Sequence, residues 1–127
     1  MDNADLGKLI IRLTLGGLLL FHGISKLLNG TGFIEGMLVN HGIPAFFAYG
    51  VFIGELLAPL MVILGYHTRI GALLIVFNML VAIALVHTHE LLKLGGNGGW
   101  ALELQGFFLF TALALIFLGP GRYKLKN

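Results

Sequence analysis

Four apolar stretches, each close to twenty residues long, restrict what this chain can fold into. They run over residues 8–28, 44–65, 70–87 and 100–118. A helix needs about 20 apolar residues to cross about 30 Å of bilayer hydrocarbon, and its backbone polar groups must be hydrogen-bonded within the segment. The sequence therefore predicts an all-α fold in which four transmembrane helices form an antiparallel bundle.

The segments between these spans predict one domain over residues 1–127 and one additional short helix. Glycine-rich breakers end the spans, and no internal repeat or interdomain linker is visible. Residues 32–43 carry apolar side chains at helical spacing, which predicts a short helix lying at the membrane interface between spans one and two. Pro59 predicts a distortion of the second span one turn after Glu55.

The amino-acid composition also favours a protein that is surrounded by lipid. Charged residues make up 11% of the chain, against roughly 25% in ordinary soluble domains. Such a chain cannot cover its surface with polar groups, so we expect an oily outer surface in contact with the bilayer. The basic residues lie at the ends and turns, which does not suggest nucleic-acid binding. The absence of cysteine excludes disulfides and thiolate ligands, and no zinc-binding spacing predicts a metal site.

Basic residues also predict the orientation of the chain. Only Lys26 and Lys93 fall on one side of the predicted bundle, whereas six fall on the side that holds both termini: Lys8, Arg12, Arg69, Arg122, Lys124 and Lys126. The positive-inside rule then predicts a multi-pass protein of the plasma (inner) membrane with both termini in the cytoplasm. Small residues on the second span predict close helix packing, with homo-oligomer formation as an alternative.

Polar side chains inside the spans predict a site near the outer leaflet. In span one, small and basic residues recur within an arc of roughly 100°, which marks an inward face, and His22 and Lys26 lie at its outer end. Antiparallel threading places His87 and Glu103 at the same level. Glu55 and Asn78 fall deeper, near the midplane, and the side chain of Arg12 is expected to extend toward Glu55 from the cytoplasmic side.

These residues have two competing interpretations. In the first, His22, Lys26, Glu55 and Glu103 are catalytic, and His22, Asn78 and His87 contact a cofactor. In the second, the charges only fix helix register. Ion pairs Arg12–Glu55 and Lys26–Glu103 would then be structural, and Asn78 would make an interhelical hydrogen bond.

Several motifs resemble the DoxX family over nearly the whole chain. They are the run Leu20–Lys26 containing His22 and Gly23, Gly54–Ala58 containing Glu55, Thr68–Ala72 leading to Asn78, Glu103, and the ending Leu118–Tyr123. The family is named after a membrane subunit associated with thiosulfate:quinone oxidoreductase or a terminal quinol oxidase. The resemblance implies a four-helix membrane fold and a link to quinones. The chain carries no additional soluble domain, so direct thiosulfate oxidation is not expected.

Three functions remain as hypotheses. In the first, the chain is a quinone-linked oxidoreductase component. His22 donates a proton or anchors a carbonyl, Lys26 stabilises a developing anion, and Glu55 and Glu103 relay protons or hold the cations in place. Electrons come from a redox partner subunit, a soluble donor or a further cofactor. Alternatively, His22 and His87 are the axial ligands of haem b. In the third hypothesis the chain is a non-enzymatic scaffold or small-molecule-binding subunit. Only the first makes the chain part of a catalyst.

Overall fold

The computed structural model describes residues 3–30, 32–84 and 103–126, most of which lie in helices. They are α1 (Asn3–Asn29), α2 (Gly32–Asn40), α3 (residues 45–64), α4 (Thr68–Ala82) and α5 (Glu103–Leu118). These described ranges contain no β-strand, only an isolated bridge between Tyr66 and Lys126. The predicted all-α class is therefore confirmed for the part of the chain that the structure describes.

The helix bounds follow the predicted spans closely. The first helix begins at Asn3, earlier than predicted, with Asp5 in its first turn, where a carboxylate stabilises the helix N-terminus. The predicted short helix is present at Gly32–Asn40; its position at a membrane interface stays a prediction. The end of the third predicted span and the start of the fourth lie outside the described residues.

Length and composition support a membrane environment. Within the described ranges one helix, Phe46–Leu64, is long and apolar enough to cross a bilayer, and Thr68–Ala82 and Glu103–Leu118 are shorter apolar helices. Large apolar side chains also face outward: Phe21, Phe77 and Phe117 are 71%, 67% and 78% exposed. The oily outer surface expected from composition is therefore present.

The helices pack around a small apolar core. Contacts are most extensive between α4 and α5, and α1 packs against both α3 and α5. The core consists of aliphatic side chains, one methionine and one phenylalanine: Leu15, Leu19, Ala58, Val62, Ala72, Ile75, Met79, Phe108, Ala112 and Leu115. This packing fixes which faces of α1, α3 and α4 meet.

A tight turn joins α3 to α4. Gly65 has φ 72°, a left-handed conformation that residues with a Cβ adopt at a cost. The Gly65 N–H donates to the Val62 carbonyl (3.3 Å) and the Tyr66 N–H to the Met61 carbonyl (2.9 Å), the paired bonds of a Schellman motif. Because the chain reverses here, α4 returns beside α3, as the short turn predicts.

Both ends of the described chain meet at one end of the bundle. A Cβ added at Gly121 would lie 3.2 Å from the Lys8 Cβ and 3.3 Å from an Asp5 carboxylate oxygen. Near the C-terminus, Lys126 accepts a 2.7 Å hydrogen bond from the His67 N–H. The two ends of the described chain therefore lie at one end of the packed helices, whereas their shared side of a membrane and the cytoplasmic assignment of that side stay predictions.

The third helix is distorted in its middle. It opens with a 3₁₀ turn over Ala45–Tyr49 and widens into a π segment over Ile53–Leu57. There the Ala58 N–H donates to the Ile53 carbonyl, five residues back. Pro59 follows directly and has no N–H to continue an α-helical ladder. The distortion predicted from Pro59 thus takes the form of a widened turn, which carries Glu55.

Candidate functional site

Three polar side chains from three helices form one network inside the bundle. The Lys26 ammonium on α1 lies 2.5 Å from Glu55 Oε1 on α3. The Asn78 side-chain amide on α4 donates to Glu55 Oε2 at 3.0 Å. The Glu55 side chain is 4% exposed and that of Lys26 is 32% exposed. Both oxygens of a buried carboxylate therefore have a partner, as its desolvation requires.

Close contacts between helices bring the side chains of this network together. A Cβ added at Gly23 would lie 2.0 Å from the Glu55 carbonyl oxygen, and one at Gly54 would lie 2.5 Å from the Asn78 Cβ. Glycine at these positions lets α1 approach the π segment and lets Asn78 pack over α3. The sequence marked Gly23 as part of an inward face, and the structure assigns it the closest approach to Glu55.

Replacing Gly23 with alanine is expected to destabilise the protein and to separate Lys26 from Glu55. The added methyl group meets backbone atoms of Glu55, which cannot move without shifting the π segment. Overpacking of this kind costs typically 1–3 kcal/mol. Gly17→Ala is the matched control, because nothing lies within 4 Å of a Cβ there. The free energy of unfolding in mixed micelles measures both variants, and an equal effect of the two would contradict the prediction.

The network borders a cavity of about 100 Å³. The polar residues that line the cavity are His22, Lys26, Glu55 and Gln105. The rest of the lining is apolar: Leu19, Met79, Ala82, Leu104 and Phe108. The His22 ring meets the Phe108 ring edge-on, with centroids 5.7 Å apart and an interplanar angle of 83°. The lining of the cavity therefore combines hydrogen-bonding groups with apolar and aromatic side chains.

Gln105 and Phe108 are among the cavity residues that the sequence did not single out. Gln105 and Phe108 lie three positions apart on α5 and so share one helix face, and both line the cavity. The sequence signal for these two wall residues was the single amide on a largely apolar helix, one turn before an aromatic residue. That pattern is equally typical of an interhelical hydrogen bond, so the sequence alone did not distinguish a wall residue from a packing residue.

Glu103 does not line this cavity, which corrects its expected pairing with Lys26. It is exposed and lines a separate groove of about 630 Å³ between α1 and α5, beside Thr14, Phe107 and Thr111. Phe108 lines both the groove and the cavity. The expected pairing compared only positions along each helix and ignored helix rotation, and Glu103 projects from a different face of α5 than Gln105 does.

Arg12 also has different partners from those expected. Its side chain is buried and donates to the carbonyls of Val62 (2.9 Å) and Ile63 (3.0 Å) at the end of α3. It further donates to the carbonyls of Pro120 (3.2 Å) and Tyr123 after α5. The expected interaction with Glu55 is therefore wrong. Arg12 instead binds backbone carbonyls near helix C-termini, where a positive charge is favoured.

The structural interpretation of Asn78 is confirmed, since it bonds across helices to Glu55. His87 lies outside the described residues, so its predicted roles stay predictions, including that of haem ligand with His22. An absorption spectrum of the purified protein tests the haem hypothesis directly, because bound haem gives a Soret band.

Comparisons with known proteins identify the family of the chain. The chain is 34% identical over 126 residues to the uncharacterized membrane protein Rv3486 of Mycobacterium tuberculosis (strain ATCC 25618 / H37Rv), covering 92% of this chain and 77% of that protein. It is 32% identical over 124 residues to a protein of Bacillus subtilis (strain 168) named putative oxidoreductase CatD, covering 97% of this chain and 92% of that one. No solved structure matches. The DoxX family model matches residues 7–88, a range that contains Lys26, Glu55 and Asn78, and the chain therefore belongs to the DoxX family of membrane proteins.

Proposed function

We propose that this chain is the quinone-binding component of a membrane oxidoreductase, with its four long helices crossing the bilayer as an antiparallel bundle. The supporting observation is the Lys26–Glu55–Asn78 network, of which Lys26 and Glu55 line a cavity within an apolar helical protein. Ionisable groups inside membrane segments are costly and usually line functional cavities or make ion pairs. The relative named as an oxidoreductase supports the same class of function.

The chemistry of a quinone matches the mixed polar and apolar lining of the cavity. A quinone ring is apolar and carries two carbonyl oxygens, and each carbonyl takes up one proton when two electrons convert the quinone to a quinol. Lys26 has three N–H donors, of which one points to Glu55, so the others are available to a carbonyl oxygen. His22 lines the same wall and is the residue type best suited to exchange protons near neutral pH.

Glu55 and Asn78 would act by positioning Lys26. A lysine side chain is flexible, and a contact on each carboxylate oxygen holds Glu55 in one orientation. Glu55 then fixes the ammonium group at the cavity wall. The chain has no cysteine to relay electrons, so the electrons would come from a redox partner or a further cofactor.

The groove between α1 and α5 would hold the apolar chain of a membrane quinone. Its lining is almost entirely apolar and includes Ile10, Leu18, Phe107 and Phe110. It adjoins the cavity at Phe108, which lines both spaces. A ligand whose ring carries carbonyl oxygens and whose tail is a long hydrocarbon would thus find hydrogen-bonding groups in the cavity and apolar side chains in the neighbouring groove.

Photolabelling with an azidoquinone tests the proposal. We expect cross-links on peptides of α1 near His22 and of α5 near Phe108, suppressed by excess unlabelled quinone. Removing one hydrogen bond in His22→Ala should weaken competition about five- to tenfold, because such a bond contributes about 1 kcal/mol. Ile24→Ala is the matched control on α1, since Ile24 is exposed and does not line the cavity.

Two outcomes would count against the proposal. Diffuse labelling that unlabelled quinone does not suppress would favour the scaffold hypothesis. Equal competition in the His22 and Ile24 variants would remove His22 from the site. Mass spectrometry of lipophilic molecules released from gently purified protein gives an independent measurement, because a quinone that remains bound through purification should be recovered at near-stoichiometric amounts.

A further inference from the structure

A cationic surface at one end of the bundle is not used by the proposed site. After α5 the chain folds back as a C-terminal hook, residues 119–126. Gly119 and Gly121 have φ values of 75° and 78° and turn the chain. The hook then runs across the ends of α3 and α4, where the Leu125 and Lys126 N–H groups each donate to the Gly65 carbonyl at 3.1 Å.

Arg12, which is buried beneath the hook, holds it in place. The guanidinium donates to the carbonyls of Pro120 and Tyr123 within the hook, and its other donors bind α3. A terminal segment fixed by backbone bonds and a buried arginine has lost most of its conformational freedom on folding. Side chains on the hook are therefore displayed at fixed positions rather than on a freely moving tail.

The hook presents cations that have no anionic partner in the described part of the chain. Arg122, Lys124 and Lys126 are exposed, and Lys8 lies beside Gly121. Arg69, on the first turn of α4, is exposed as well and donates to the Ile116 carbonyl. The ion pair found among the described residues is Lys26–Glu55, in the bundle interior. Asp5 is the carboxylate near Gly121, so five cations here face one described acidic group.

Apolar side chains accompany these cations. Leu125, between two lysines, is 69% exposed, and Tyr66 beside it is 44% exposed. Aromatic and apolar groups mixed with lysine and arginine are typical of the boundary between lipid headgroups and hydrocarbon. A nucleic acid or an acidic protein would match the charges but would leave Leu125 without an apolar environment.

We propose that the hook, together with Lys8 and Arg69, binds the phosphate headgroups of anionic phospholipids. Charge complementarity selects anionic over zwitterionic lipid, and the exposed Leu125 would enter the adjacent hydrocarbon. Each lysine or arginine near an anionic membrane surface contributes about fivefold in affinity. Because Arg12 fixes the hook, its three exposed cations act together on one patch of lipid. This inference is independent of the quinone proposal.

Native mass spectrometry of the delipidated protein tests the inference, with added phosphatidylglycerol and phosphatidylcholine as probes. We expect the wild type to retain phosphatidylglycerol preferentially. The variant R122Q/K124Q/K126Q should lose about 100-fold of that preference, whereas R122K/K124R/K126R, which keeps every charge, should retain it. The backbone bonds of the hook are the same in both variants, so their melting curves should agree.

A preference that is equal in the glutamine and the charge-retaining variants would overturn the inference, as would equal retention of the two lipids by the wild type. Inorganic phosphate that displaces the lipid at comparable concentration would indicate a soluble anion instead and would also overturn it. If the glutamine variant does not fold, a salt titration of the wild type serves in its place. The preference should then fall steeply with ionic strength, and a salt-independent preference would contradict the inference.

Discussion

Replacing Arg12 with methionine is expected to cause a large loss of stability. The side chain is 1% exposed and donates hydrogen bonds to four backbone carbonyls. Hydrogen bonds that involve a charged group contribute about 1.5–3 kcal/mol each. Methionine fills much of the volume but leaves those carbonyls without this donor, so we expect a loss of more than about 3 kcal/mol.

Two controls separate the role of the guanidinium from that of its charge. Arg122→Met removes an exposed arginine of the hook and should change stability by less than about 0.5 kcal/mol. Arg12→Lys keeps the charge but lacks the planar fork that reaches several acceptors, so it should recover only part of the loss. Unfolding in mixed micelles measures the free energies.

Trypsin cleavage reports the position of the hook. In Arg12→Met, cleavage after Lys124 should be much faster than in the wild type, because the hook loses its bonds at Pro120 and Tyr123. A variant that is as stable and as resistant to trypsin as Arg122→Met would show that the backbone bonds to Gly65 hold the hook without Arg12.

The fold was largely accessible from the sequence because its signals are local. Apolar runs and glycine breakers located the helices within a few residues, and the short turn at Gly65 required α4 to return beside α3. Each of these inferences depends only on helix length and turn length, which are encoded by consecutive residues of the sequence.

Side-chain partners were less accessible because they depend on helix rotation and side-chain reach. Lys26 was placed near the outer surface and Glu55 near the midplane, yet the two are in contact. A lysine stem extends along apolar surface for several ångströms, and the widened turn around Glu55 changes its direction. Arg12 was expected to pair with a carboxylate, whereas its guanidinium binds backbone carbonyls at the ends of two helices.

A signal for the Arg12 site was present in the sequence but was not used. Gly65 ends one helix and Gly119–Gly121 ends another, and both breakers fall at the level of Arg12. The last carbonyls of a helix have no intrahelical donor, so two helix ends at one level form a cluster of acceptors. A buried arginine at that level can bind the cluster without any carboxylate, which charge pairing alone does not suggest.

The Lys26–Glu55 pair is expected to respond asymmetrically to mutation. Lys26→Met leaves a 4% exposed carboxylate with Asn78 as its described side-chain partner, and an unpaired buried charge costs about 3–5 kcal/mol. Glu55→Gln leaves Lys26, which is 32% exposed and can turn its ammonium toward water or headgroups. The glutamine also keeps an oxygen for Asn78, so this variant should lose less than about 1.5 kcal/mol.

The double variant K26M/E55Q completes the cycle. With both charges gone, its stability should return close to that of Glu55→Gln, which gives a coupling energy equal in size to the loss in Lys26→Met, about 3–5 kcal/mol. Lys124→Met controls for the loss of an exposed lysine and should be nearly neutral. Additive single effects, or a Lys26→Met variant no less stable than Glu55→Gln, would contradict the pairing. If Glu55→Gln is indeed mild, any large loss of quinone binding in that variant cannot come from unfolding, and it would then report how Glu55 positions Lys26.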